Sequence, residues 1–101
     1  MIQLKIEQTA NQSFQFQSGQ NLYDIEIRTT AKATFFSISR NSTVLISNEI
    51  LISNTILIQS RYQATDGNFI FYSLVEEIPN YRLFGVTQFI YFATLDELQN
   101  G

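Results

Sequence analysis

The side chains available for chemistry in this 101-residue chain are carboxylates, hydroxyls, six Lys and Arg, and no His or Cys. The commonest general base, the commonest neutral metal ligand and the best nucleophile are therefore all missing. Glu76-Glu77 and Asp96-Glu97 are neighbours in sequence. In extended chain their carboxylates point to opposite faces and do not make an acid/base pair, so they read as solvated loop charges. Lys5 and Lys32 sit in no motif that would activate a hydroxyl. Gly19, Gly67, Gly85 and Gly101 are too scattered to cradle a phosphate, and Asp66-Gly67-Asn68 lacks the acidic spacing of a calcium loop. The expectation is a protein that is not an enzyme, with no catalytic or metal-binding residue and no cofactor.

Charge narrows the partners. Lys5, Arg28, Lys32, Arg40, Arg61 and Arg82 are spread along a chain of formal charge -3. No basic stripe is evident, which disfavours direct nucleic-acid binding. The longest apolar run, Phe89-Ile90-Tyr91-Phe92-Ala93, falls far short of the roughly 20 residues that span a bilayer. The opening Met1-Ile2-Gln3-Leu4-Lys5-Ile6 alternates and lacks the basic and apolar regions of a signal peptide, which speaks against export. Asn, Gln, Ser and Thr supply most of the polar surface, and uncharged surface resists aggregation less well than charge, so a partner covering part of it fits the composition.

The elements that hold these residues read as β throughout. A chain of this length supports one domain, residues 1–101, burying roughly two thirds of its unfolded surface around one modest core. Residues 2–7 alternate with Ile2, Leu4 and Ile6 on one face. Residues 14–17 and 22–29 form a hairpin about Ser18-Gly19-Gln20-Asn21, with Phe14, Phe16, Tyr23, Ile25 and Ile27 on its apolar side. Residues 34–40 carry Phe36 and Ile38 inward and turn at Arg40-Asn41-Ser42. Residues 56–64 and 68–74 flank Thr65-Asp66-Gly67, where Asp-Gly signals a hairpin. A closing strand over about 82–93 is apolar on both faces, and so is either central in a sandwich or covered by a partner. Thr94 followed by Glu97 is a capping box for one short C-terminal helical turn. The expected fold is all-β: a small antiparallel β-sandwich or a partly open β-barrel, with seven to ten short strands.

Residues 44–61 divide into three six-residue blocks starting at Val44, Ile50 and Ile56. A β-helix would need the period to continue, and it does not; two or three short strands joined by Ser-Asn turns are the reading. Nine Phe and five Tyr exceed what periodicity can assign. Phe14, Phe16, Ile25, Ile27, Phe36 and Ile38 lie on clean alternating faces and are assigned to the core. Tyr62, Tyr72, Tyr81 and Phe84, near turns or on mixed faces, are the interface candidates, joined by Phe89 and Tyr91 of the closing strand.

The order of these blocks resembles the phage baseplate plug family. The likeness runs from Asn11-Gln12-Ser13-Phe14 through Gly19-Gln20, Tyr23-Asp24-Ile25, Ile27-Arg28 and the turn Arg40-Asn41-Ser42. It continues through Gly67-Asn68 to Phe84-Gly85 and Phe89-Ile90-Tyr91. Many relatives carry Gly where this chain has Asn48, and Trp in the strand of Phe35 and Phe36. The resemblance implies a structural component of a contractile tail baseplate near the tail axis, in contact with other baseplate, hub and tail-tube proteins. It also implies a homo-oligomer of three or six copies, carried in the virion and present in the host cytoplasm during assembly. The rival reading, from the residues alone, is a small β-barrel binding an apolar or sugar ligand at an aromatic mouth.

Overall fold

The computed structural model describes residues 1–59, 66–75 and 78–100. Alternating sequence becomes alternating burial: in β3 (Asn21–Thr29), Tyr23, Ile25 and Ile27 are buried while Glu26 and Arg28 are exposed. The other strands are β1 (Ile2–Leu4), β2 (Asn11–Ser18), β4 (Thr34–Arg40), β5 (Thr43–Ile50), β6 (Thr55–Ile56), β7 (Gly67–Ser73) and β8 (Gln88–Thr94), followed by helix α1 (Leu95–Asn100). They form two antiparallel four-stranded sheets, ordered β1-β8-β7-β6 and β2-β3-β4-β5. The sheets stay separate and do not close, so the fold is the expected sandwich and not a barrel.

The two turns of the β2–β5 meander show why this sheet forms. Gly19 opens the two-residue β2–β3 turn at φ +59°, a conformation glycine enters without strain. Asn41 and Ser42 carry β4 into β5 with φ +51° and +69°, the paired left-handed conformations of a type I′ turn. The Asn41 side chain supports that turn, accepting from the Leu22 amide at 2.9 Å and donating to Asn21 Oδ1 at 2.9 Å.

Between the sheets, the rings of Phe16, Tyr23, Phe69 and Phe92 form a cluster with centroids 4.8 to 6.0 Å apart. Each fully buried ring contributes roughly 1.5–3 kcal/mol of burial. The expected core residues Ile25, Ile27, Phe36 and Ile38 are buried, and Phe14 and Phe16 are half-buried against them.

Four expectations change. The closing strand is shorter than residues 82–93: Tyr81–Leu83 is a 3-10 turn capped by Asn80, whose side chain accepts from the Arg82 amide, and Gly85 at φ +77° turns the chain before β8 begins at Gln88. Local hydrogen bonds there outcompete the ladder. Ser47-Asn48 is no turn, because β5 runs through it, absorbing Asn48 at φ +51° as an irregularity while Ser37 Oγ accepts the Asn48 amide at 3.0 Å. Only Ser53-Asn54 of that repeat is a turn. At the other end of the chain, regular pairing of β1 stops at Leu4 even though Ile6 remains buried.

The Asp66-Gly67 hairpin is not tight. β6 pairs with β7 through Thr55 and Ile56, the Leu57 amide adds one bond to the Phe69 carbonyl at 2.8 Å, and the buried Asn68 side chain then replaces a strand neighbour. It accepts from the Ile58 amide at 2.9 Å and donates to the Ile58 carbonyl at 2.7 Å. The rest of the expected strand over 56–64, with Thr65, lies outside the described residues.

At the C-terminus the capping box forms. Glu97 accepts from the Thr94 amide at 3.0 Å and Thr94 Oγ1 accepts from the Glu97 amide at 3.3 Å.

Candidate docking face

β8 is an inner strand of its sheet, between β1 and β7, so its inward residues Ile90 and Phe92 meet the opposite sheet and are buried. Its outward residues Phe89 and Tyr91 are left half-buried on the far face. Register places Phe89 beside Tyr72, and Tyr91 beside Ile70, which is in turn beside Ile56. The rings meet edge to face or tilted: the Tyr72 and Tyr91 centroids lie 6.4 Å apart with planes at 65°, and those of Phe89 and Tyr91 lie 6.2 Å apart. Tyr72 and Ile56 are each about two-fifths exposed. The result is a continuous apolar and aromatic face outside the sandwich.

This face runs into an aliphatic tip. Leu74 continues from β7, held by its amide to the Thr87 carbonyl at 2.8 Å, and Leu74, Val75 and Val86 are exposed there. Ile78 is also exposed, at 82%, and the buried Gln88 side chain braces its segment. Gln88 donates to the Ile78 carbonyl at 2.8 Å and accepts from the Asn80 amide at 2.8 Å. Glu76 and Glu77, between Val75 and Ile78 in sequence, lie outside the described residues.

Of the interface candidates, Tyr72, Phe89 and Tyr91 are thus brought together on one face. Phe84 is 1% exposed, its ring 5.9 Å from that of Phe71, and offers no surface to a neighbour in this conformation; the turn at 81–87 folds it under the sheet. Tyr81 packs against the core with the Arg82 guanidinium over its ring at 5.5 Å. Tyr62 lies outside the described residues. Sequence reasoning passed over Ile56, Ile70 and the aliphatic tip. Val75 and Ile78 flanking an acidic pair just before Pro79 were the available signal, since a loop rarely carries apolar residues without use.

The titratable groups serve structure. Tyr23 is buried, and burial pushes its phenol up to about 12, with the hydrogen bond to Asp66 acting in the same direction and Arg40 opposing it. The phenol is thus held as a donor. Glu97 is held below the usual carboxylate range by the Met1 ammonium and the Thr94 amide. Among the described residues no three acidic side chains gather where a metal ion could be held.

The fold is an open two-sheet sandwich with an aromatic outer face on the β1-β8-β7-β6 sheet. The chain belongs to the cyanophage baseplate plug family: the family described as "Cyanophage baseplate Pam3 plug gp18" matches residues 1–96. No individual curated protein matches it.

Proposed function

We propose that the chain is a structural component of a contractile phage or prophage-derived tail baseplate. In this reading it is the plug near the tail axis, working through contacts with hub and tube proteins and with further copies of itself, three or six per particle. It is present in the host cytoplasm during assembly and in the virion afterwards. Family membership supports the baseplate role. The observation that carries the contact role is the face formed by Tyr72, Phe89 and Tyr91, over which the described residues form no further sheet.

The test is Phe89→Asp and Tyr91→Asp. A charge costs little on a solvated face and several kcal/mol on one desolvated by a neighbour, so the fold should persist while assembly weakens by about tenfold or more. Sedimentation and reconstitution of tail particles measure it. A parent chain that stays monomeric at high concentration, together with variants that enter baseplates as well as the parent, would overturn this assignment.

A further inference from the structure

We propose that the outer edge of β2 receives an extended segment of a neighbouring protein as an added strand, and that this segment carries Lys or Arg at alternate positions. The inference rests on the baseplate reading only for the partner being another tail protein.

β2 is the edge strand of its sheet, and its pairing with β3 leaves a defined row of backbone groups facing outward. The Thr29 amide donates to the Ala10 carbonyl at 2.8 Å, and the Asn41 amide donates to the Leu22 carbonyl at 2.8 Å. Alternation in antiparallel ladders then directs residues 12, 14, 16 and 18 toward β3, and Asn11, Ser13, Gln15 and Gln17 away from it. Among the described residues, no partner is present for the outward amides of Ser13, Gln15 and Gln17.

The other edges are blunted. β1 has three residues and β6 two, while β5 carries register irregularities and the left-handed Asn48. β2 has eight residues in regular register, with no charge, Pro or Gly, and none of the devices that guard a sheet edge against pairing.

The chemistry of the occupant follows from the two faces. On the inner side, Phe14 and Phe16 are half-buried at the edge of the core, so inward positions of an added strand should be apolar. On the outer side, Ser13 pairs with Glu26 and Gln15 with Asp24. The small Ser13 leaves a shallow depression there that includes both carboxylates. A long cation beside Ser13 reaches over it to Glu26 and Asp24, whereas an acidic side chain would be repelled.

The experiment adds a short blocked peptide of alternating lysine and valine to the full chain and follows amide hydrogen exchange and affinity. The expected result is exchange slowed about tenfold or more at Ser13, Gln15 and Gln17. Binding should be at least about tenfold weaker to a Ser13→Pro variant and for a peptide with glutamate in place of lysine. Ser13→Pro removes only an outward amide, which edge strands tolerate, and circular dichroism checks that the fold is kept. Absence of binding, or equal binding by the proline variant, overturns the added strand. Equal binding of the glutamate peptide overturns the basic partner, and protection that appears without peptide and fades on dilution assigns the edge to a second copy instead. If Ser13→Pro assembles into tails normally while Phe89→Asp does not, this inference falls and the baseplate reading stands.

Discussion

The hydroxyl of Tyr23, on β3, donates to the carboxylate of Asp66, the residue that leads into β7, so one hydrogen bond ties the two sheets together. Asn21 adds a second tie, donating to the same carboxylate at 3.2 Å. Because the folded-state phenol is raised from 10.0 to about 12, its contribution to stability is complete below the unfolded value and is lost as pH rises through the folded one. Stability should therefore fall between pH 10.0 and about 12. Chemical denaturation across that range measures it. Tyr23→Phe should flatten the fall and remove a late-ionising step from the tyrosinate absorbance titration.

Gly67→Ala should cost about 3 kcal/mol or more, because an added Cβ would lie 2.7 Å from Phe92 Cζ and press on the Ala93 carbonyl, at a φ of +153°. Gly19→Ala, which meets open space, should cost only the left-handed strain of about 1–2 kcal/mol. Urea unfolding of the pair separates crowding from backbone conformation.

Ser42→Gly should stabilise the protein. Ser42 is left-handed at φ +69° in the β4–β5 turn. Relieving that strain is worth about 1 kcal/mol, a rise in Tm of roughly 4–8 °C. An unchanged Tm would show that the turn carries no such strain.

Phe84 and Tyr72 should part company. Phe84→Ala empties a fully enclosed site and should cost about 3–5 kcal/mol. Tyr72→Ala should change the stability of the free chain by less than about 1 kcal/mol and show its effect in assembly. A comparable loss from both would place Tyr72 in the core.

The β2–β3 hairpin, β4 and the capping box at Thr94 were legible because each rests on near neighbours in sequence. Alternation selects a face, glycine or asparagine selects a turn, and a cap closes over three residues. The limits of β8 and β6 were not. Residues 82–87 continue the two-sided apolar run read as the closing strand, but Asn80 and Gly85 stabilise a local turn that pairing could not outbid. β6 gave way to Asn68, whose side chain takes a backbone role that composition does not announce.

By itself the sequence determined the all-β class, the single core and the lack of His and Cys, since these follow from residue types and local periodicity. The tertiary structure decided which aromatic residues are surface. Phe84 and Phe89 are the same residue type five positions apart, and only the order β1-β8-β7-β6 with the turn before Gln88 places one beneath the sheet and the other on its open face. Burial depends on what packs from far along the chain, and that information is held by no single stretch of it.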